Sequence, residues 1–178
     1  MPKLSDVSNK ALRELLGNRL YKKSALVATG AAATFAVTSA PAGGLVYSID
    51  GVVGAAKADV TVEPLVTLAA LQFPITGTNG FYTLPAGATC YFTIVLNAAG
   101  TYYAIQSTYA GQVFTPFRQQ LGSGDVADIV VPSLYVPVGI IKVVNLTNPF
   151  IPATTLWNAA GVTTTTVDVA GVLPSVNP

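Results

Sequence analysis

The sequence contains no histidine and a single cysteine, Cys90. Without an imidazole, neither a Ser-His-Asp nor a Cys-His catalytic arrangement can form. Zinc and haem sites that need several histidine or cysteine ligands are excluded for the same reason. A disulfide within the chain would need a second cysteine, so the sequence does not point to an oxidising compartment. Carboxylates are the acid–base groups that remain for a catalytic site.

The closest pair of carboxylates is Asp125 and Asp128, in the glycine- and serine-containing segment 122–128. Paired carboxylates hydrolyse glycosides or bind calcium in other proteins. In a loop of this composition, solubility and the capping of a strand are the simpler roles. The sequence therefore predicts no catalytic residue, no metal site and no cofactor, and a protein that is not an enzyme.

Charged residues are scarce as well. They make up 10% of the chain, against 51% hydrophobic residues, whereas a typical soluble domain has about a quarter charged residues. One explanation is a compact β protein with threonine, serine and asparagine on its surface. The other, which we favour, is that much of the monomer surface is buried against other subunits. This interpretation predicts an oligomer.

The chain also lacks long apolar runs. No stretch of about 18 apolar residues is present, so we expect no membrane-spanning helix. The stretch after Lys22 and Lys23 matches a signal peptide poorly, because Thr29, Gly30 and Thr34 interrupt it. Residues 24–178 hold three basic and six acidic groups, too few cations to neutralise a phosphate backbone. Neither a membrane nor nucleic acid is therefore an expected partner.

Positive charge is concentrated at the N-terminus, where residues 1–23 hold six basic and two acidic groups. Ser5 to Leu16 predicts a short helix with leucines on one face. Since a helix of this length is marginal alone, its leucines need a partner surface. We expect residues 1–23 to form an arm for particle attachment or trimer contact, through Leu12, Arg13, Leu15, Leu16, Arg19 and Leu20.

Beyond Lys23, short β-branched and aromatic runs alternate with turn residues, which predicts an all-β fold. An antiparallel β-sandwich or jelly-roll-like body, or a small barrel, suits such a series of strands. The irregular segment 113–125 divides the body, 24–178, into possible halves at 24–112 and 126–178. The predicted strands are Thr34–Thr38, Leu45–Ile49, Val60–Leu68, Thr89–Leu96, Thr101–Ser107, Ile129–Val131, Val138–Asn145, Thr154–Trp157 and Val162–Val169.

Turn signals support this fold. Asn-Ala-Ala-Gly occurs at Asn97–Gly100 and again at Asn158–Gly161, each time between strand-forming residues. Asparagine starts a turn through its own side chain, and glycine in the fourth position accepts a positive φ. Each copy predicts a β-hairpin. Asp50 before Gly51 predicts a further turn.

Some predicted strands are apolar on both faces. Between Cys90 and Leu96, the even-numbered positions are all apolar, and the odd-numbered positions are Tyr91, Thr93 and Val95. Strands of this kind are buried on both sides. We expect a sandwich core on one side of this strand and a neighbouring subunit on the other.

Several residues with chemical potential have simpler structural interpretations. Cys90 lies in an apolar run and is expected to be a buried, unreactive thiol. The cluster of Tyr102, Tyr103 and Tyr109 suits core and interface packing better than contact with a carbohydrate. Asn145-Leu146-Thr147 matches a glycosylation acceptor but has little weight without a secretory signal.

Two sets of motifs resemble a family of small phage virion proteins of the head-fibre or capsid-decorating type. The first set is LVYSIDGVVGAAKA at 45–58, LPAGATCYF at 84–92 and the turn at 97–100, similar to the family's "IDG…KA" and "PAG" elements. The second is VPSLYVPVGIIKV at 131–143 and PATTLWNAAGVT at 152–163, similar to a "VPIGxVKV…PGTTxLDAAGVT" run. Pro152-Ala153 replaces the usual Pro-Gly, which puts one turn geometry in doubt.

The resemblance spans residues 34–175 and implies a homotrimeric β protein on the virion surface that binds the major capsid protein. Such a cement protein would stabilise the head shell through many weak contacts. Two alternatives stay open. One is a tail fibre or adaptor that recognises a host surface glycan, and the other is a secreted or surface adhesion module.

Overall fold

The computed structural model describes residues 17–30, 34–66, 81–106 and 134–168. Within these ranges the chain forms β-strands paired only in antiparallel fashion, and no helix. The predicted all-β fold is confirmed at this level. The predicted helix Ser5–Leu16 lies outside the described residues, so the structure does not support the helical arm. The strands are β1 Arg19–Leu20, β2 Lys23–Ala28, β3 Thr34–Ala40, β4 Tyr47–Ile49, β5 Val52–Val53, β6 Val60–Pro64, β7 Thr89–Asn97, β8 Tyr102–Gln106, β9 Tyr135–Asn145 and β10 Val162–Asp168.

The described strands form three sheets. The largest has the order β10-β9-β7-β8, a second has the order β2-β3-β6, and a small sheet has the order β1-β4-β5. The two larger sheets both supply residues to one hydrophobic core. That core also joins residues from 24–112 with residues from 126–178, so the described parts of the two predicted halves share one interior.

The centre of the core is aromatic. Phe92 on β7 lies 5.7 Å from Trp157 and 5.8 Å from Phe81, between ring centroids, in edge-to-face geometry. Trp157 donates its Nε1 hydrogen to the carbonyl of Thr34 at 2.8 Å. Because a buried indole N–H needs an acceptor, this bond fixes the segment before β10 against the start of β3.

The two larger sheets are connected along both edges. At one edge, Ala104 of β8 donates its backbone N–H to the carbonyl of Val66, which follows β6, at 2.7 Å. At the other edge, Leu26 of β2 donates its N–H to Oδ1 of Asp168 on β10 at 2.8 Å. Open strand edges are prone to pairing with other chains, and these contacts cover part of two of them.

Close packing at the second edge requires a glycine. A Cβ on Gly139 of β9 would lie 2.7 Å from Cδ2 of Leu26 and 3.0 Å from the carbonyl oxygen of Val167. Both distances are shorter than van der Waals contact, so Gly139 allows β2 and β10 to approach β9 together.

The structure corrects the predicted strands at several places. Thr154–Trp157 is not a strand: the N–H groups of Thr154 and Thr155 both bond to the carbonyl of Ile151, which closes a turn. Two strands of the described region, β2 and β5, were absent from the prediction, as was the short β1. Strand β2 contains two alanines, a lysine and a serine among its six residues, so its local strand signal is weak, and its pairing with β3 stabilises it instead. Ile129–Val131 lies outside the described residues.

Candidate interaction surface

Strand β7 is buried on both of its faces, as the sequence predicts. Toward the core it presents Cys90, Phe92, Ile94 and Leu96, all fully buried. On the opposite face, Val95 is 0% exposed and Thr93 2% exposed within a single chain. The expected neighbouring subunit is therefore not needed to bury the β7 residues of this face.

We call this side of the β10-β9-β7-β8 sheet the outer face. At its centre, Val95 and Ile105 form a small cluster with Tyr103 and Tyr135 packed against it. The two tyrosine rings meet edge to face at 5.9 Å between centroids and are half-buried. Further along, the ammonium group of Lys142 lies 5.9 Å from the ring centroid of Tyr91, within the range of a cation–π contact.

A second surface lies where residues 1–16 join the body, and we call it the arm end. The side chain of Asn18 connects two elements there: Nδ2 donates to the carbonyl of Tyr135 at 2.9 Å, and Oδ1 accepts from the N–H of Asp50 at 2.7 Å. The carbonyl of Gly17 accepts from the N–H of Gly51 at 3.1 Å. These bonds place the first described residue beside the β4–β5 hairpin and the start of β9.

The arm end exposes large apolar side chains. Val52 and Val53 of β5 are 59% and 56% exposed, and Leu134, next to Tyr135, is 67% exposed. The hairpin that presents the two valines turns at Asp50 and Gly51, whose φ angles are 50° and 72°. Positive φ at both central residues is the requirement of a type I′ turn, for which Asp-Gly is well suited. The turn predicted at Asp50 is thus confirmed.

The predicted contact residues divide between two regions of the chain. Leu12, Arg13, Leu15 and Leu16 lie outside the described residues, and their role stays a prediction. Arg19 and Leu20 form β1, which pairs with β4. Leu20 is 4% exposed and belongs to the core. The predicted arm, 1–23, therefore overlaps the β body from residue 17 onward, and Leu20 is not available to a partner in this fold.

Two of the motifs quoted for the phage resemblance meet in space. Lys57, from the first motif, pairs with Leu45 through two backbone hydrogen bonds of 2.8 Å. Its ammonium group lies 5.1 Å from the ring centroid of Tyr102, just beyond the Asn97–Gly100 turn. A Cβ on Gly100 would lie 3.6 Å from the stem of Lys57. The motifs thus have a structural role in joining the β7–β8 hairpin to the loop before β6.

Tyr102 is a buried phenol in an unfavourable position for ionisation. Its side chain is 1% exposed, and its hydroxyl oxygen has no hydrogen-bond partner among the described residues. Burial, followed by the nearby carboxylates of Glu63 and Asp59, raises the pKa of Tyr102 well above its ordinary value. This tyrosine packs in the core, against Phe35 at 5.6 Å between ring centroids, so the packing interpretation is confirmed for it.

The other residues that the sequence analysis named either have structural roles or lie outside the described residues. Cys90 is buried, as predicted. Asn145 is fully buried and donates Nδ2 to the carbonyls of Leu84 and Pro85, so its amide is inaccessible for glycosylation. Asp125, Asp128 and Tyr109 fall outside the described residues.

No group of three or more potential metal ligands occurs among residues 17–30, 34–66, 81–106 and 134–168. No helix in the same ranges is long and apolar enough to cross a membrane.

Comparison with known proteins found no relative: no protein-family model, no curated protein and no solved structure matches this chain.

The arm end was missed by the sequence interpretation. The Asp-Gly turn predicts the hairpin, but the exposure of Val52 and Val53 follows from their place on an edge strand of the small sheet. The hydrogen bond from the Asn18 side chain to Tyr135 joins residues more than a hundred positions apart in the sequence. No local pattern in the sequence encodes either feature.

Proposed function

We propose that the chain is a structural protein of a bacteriophage virion, a capsid decoration protein that binds the major capsid protein and stabilises the head shell. It acts as a homo-oligomer, a homotrimer by resemblance, on the capsid surface and performs no catalysis. In this proposal, a β-sandwich or jelly-roll-like body is the rigid part of the protein, and residues 1–16 attach it to the capsid.

The observation that carries the proposal is the arm end. Val52 and Val53 follow Gly51, which bonds to Gly17, and Leu134 precedes Tyr135, which bonds to Asn18. All three side chains are exposed, and the leucine-bearing segment 1–16 ends at this place. Large apolar side chains that are exposed at one end of a body suggest an interaction site. Since segment and surface are continuous in the chain, we place the contact with the particle at this end of the body.

Binding through a short segment and a small apolar patch is weak for one subunit. In an oligomer, every subunit presents the same arm end, and the second and third contacts form at a high effective concentration. Weak individual contacts then give stable decoration, and the rigid body links neighbouring capsomers.

Removal of residues 1–16 tests the proposal. The truncated chain keeps β1 and the core, so we expect it to fold with an unchanged midpoint of urea unfolding and to lose co-sedimentation with undecorated particles. A matched variant, Val52→Ser with Val53→Ser in the full chain, should fold and bind with reduced affinity. If the truncated protein decorates particles as fully as the complete chain, attachment through this segment is wrong.

A second candidate is favoured by the half-buried edge-to-face pair of Tyr103 and Tyr135. Aromatic rings with one solvent-exposed side are suited to contact with sugars as well as with proteins. A tail fibre or adaptor that recognises a host surface glycan would use such a pair. Binding to a glycan array that is lost in Tyr103→Ala would favour this candidate, and an array without any binding would count against it.

A further inference from the structure

The small sheet has one edge without a partner strand among the described residues. Its order is β1-β4-β5, so β5 has β4 on one side only. The chain continues past β5 along the same edge to Lys57, which pairs with Leu45 through two backbone hydrogen bonds. Side chains on this edge are exposed, Val52 at 59% and Val53 at 56%, and residues 55–56 are exposed as well. The edge is therefore accessible to another strand.

The backbone of Val53 directs its hydrogen-bonding groups away from the sheet. Gly54 donates its N–H to the carbonyl of Tyr47 at 3.1 Å, and Ser48 lies opposite Val53. Hydrogen-bonded and non-hydrogen-bonded pairs alternate in an antiparallel ladder, so Ser48 and Val53 form a non-hydrogen-bonded pair. The N–H and the carbonyl of Val53 therefore point outward, where no backbone group of the described residues bonds to them.

The composition of this edge does not protect it from pairing with another chain. Natural sheets place charged residues or proline on exposed edges for that purpose. Residues 52–56 are Val-Val-Gly-Ala-Ala and contain neither. The edges of the two larger sheets differ, because they are connected to each other through Ala104 and Leu26. The edge of β5 is thus exposed, uncharged and ready to pair.

We propose that a second copy of this chain pairs with the edge of β5, antiparallel and about a two-fold axis at Val53. Each Val53 then donates its N–H to the carbonyl of Val53 in the other copy. A two-fold contact requires a surface that is complementary to itself. An outward donor and an outward acceptor on the same residue meet this requirement, so the two copies form both hydrogen bonds with identical groups.

The charges at the two ends of the exposed segment favour a second copy as the occupant. Asp50 precedes the segment and Lys57 follows it. Antiparallel pairing about Val53 brings Asp50 of each copy close to Lys57 of the other. Opposite charges across paired strands are stabilising, whereas like charges directly opposite are destabilising. The segment is therefore complementary to itself in charge as well as in its backbone groups.

The inference goes beyond the proposed function, because it concerns the protein in solution and holds whatever particle the protein binds. It names one contact between subunits and places two arm ends side by side. Two adjacent arm ends would bind one surface at a high effective concentration. The two-fold contact is distinct from the threefold one that the resemblance implies, so an assembly that contains both has an even number of chains.

Disulfide trapping tests the pairing in the full-length protein without virions. In a Cys90→Ala background, Val53→Cys places one thiol of each copy at the two-fold axis. The Cα atoms of a hydrogen-bonded antiparallel pair are about 5.5 Å apart, a distance that a disulfide can bridge. We expect the disulfide between chains to form at least tenfold faster than in Val27→Cys, a matched control on β2 with a similar exposure of 52%. Equal rates in the two variants would overturn the inference.

Sedimentation equilibrium of Val53→Pro gives an independent readout. Proline removes the outward N–H of residue 53 but no hydrogen bond to β4, so the midpoint of urea unfolding should stay close to that of the wild type. As the protein concentration rises, the mass of the wild type should approach twice that of the variant. Equal masses at every concentration would show that the edge does not pair. That result would leave attachment to the particle, which co-sedimentation tests, unaffected.

Discussion

Ala153 adopts a backbone conformation that favours glycine. Its φ is 63°, and the turn that contains it is closed by the bond from Thr154 N–H to the carbonyl of Ile151 at 3.1 Å. Pro152 precedes it, and proline followed by a residue with positive φ is the pattern of a type II turn. The left-handed region costs a non-glycine residue about 1–2 kcal/mol. With alanine at this position, the turn forms but is strained.

Substitution Ala153→Gly should therefore stabilise the protein. Relief of the strain exceeds the loss that comes from a more flexible unfolded chain, about 0.4–1 kcal/mol, so we expect a net gain of about 0.5–1 kcal/mol in the free energy of unfolding. Urea denaturation followed by Trp157 fluorescence measures it. Ala160→Gly, in a neighbouring turn at an exposed position with negative φ, should destabilise instead. Equal effects of the two substitutions on the free energy of unfolding would show that Ala153 is not strained.

Tyr102 makes the fold sensitive to alkaline pH. Its pKa is raised in the folded protein, mainly by burial, above the ordinary value of 10.0. The stability that this tyrosine contributes is complete below pH 10. Above pH 10 the unfolded state loses the phenolic proton first, so the free energy of unfolding falls as the pH rises toward the folded-state pKa.

Tyr102→Phe should reduce this alkaline loss. At pH 7 we expect the variant to be as stable as the wild type or up to about 1 kcal/mol more stable, because the removed hydroxyl is buried without a partner. Urea midpoints at pH 8, 9.5 and 11 check both statements. Tyr21→Phe, which removes an exposed phenol bonded to Ser48, is the control. A parallel decline of the Tyr102→Phe variant and the wild type would contradict the account.

At the scale of elements, one carboxylate joins the edges of the two larger sheets. Oδ1 of Asp168 accepts the backbone N–H of Leu26, and Oδ2 lies 3.5 Å from Nζ of Lys23. The lysine side chain is largely exposed, so the ion pair contributes little. The hydrogen bond to the half-buried carboxylate is the stronger contact.

We therefore expect different effects from two substitutions of Asp168. Asp168→Ala removes the acceptor of the Leu26 N–H and should cost about 1.5–3 kcal/mol in the free energy of unfolding. Asp168→Asn keeps an acceptor and should cost less than about 1 kcal/mol. Amide exchange at Leu26 should rise in the alanine variant more than in the asparagine variant. Equal losses in both variants would assign the contribution to charge instead of the hydrogen bond.

Elements with a strong local signal were predictable from the sequence. The hairpin between β7 and β8 turns at Asn97–Gly100, where Thr101 N–H bonds to Oδ1 of Asn97 and Gly100 has a φ of 77°. The second Asn-Ala-Ala-Gly turn also forms, but β10 after it pairs with β9 and not with Thr154–Trp157. A turn motif fixes local geometry, whereas the partner of a strand is chosen by tertiary packing.

The candidate site was less predictable, for a related reason. The mostly apolar character of both faces of β7 correctly indicated burial on two sides, but periodicity does not say which part of the chain, or which other chain, buries the second face. The arm end depends on contacts of Asn18 with Asp50 and Tyr135, which are distant in sequence. Long-range contacts of this kind leave no periodic signal.

For the whole molecule, the two surfaces have different roles. Thr93 and Val95 of the outer face are buried within one chain, whereas Val52, Val53 and Leu134 at the arm end are exposed, where residues 1–16 join the body. A particle-binding protein needs a rigid body and an attachment surface that is free in the monomer. The proposal assigns the particle contact to the arm end.

The measurement that tests the central claim most directly is the copy number of this protein in purified virions, by quantitative peptide mass spectrometry against the major capsid protein. A decoration protein should be present in a fixed, near-stoichiometric ratio to the major capsid protein. A few copies per particle would place it at a tail or vertex, and its absence from virions would remove it from the particle; either result would contradict the account.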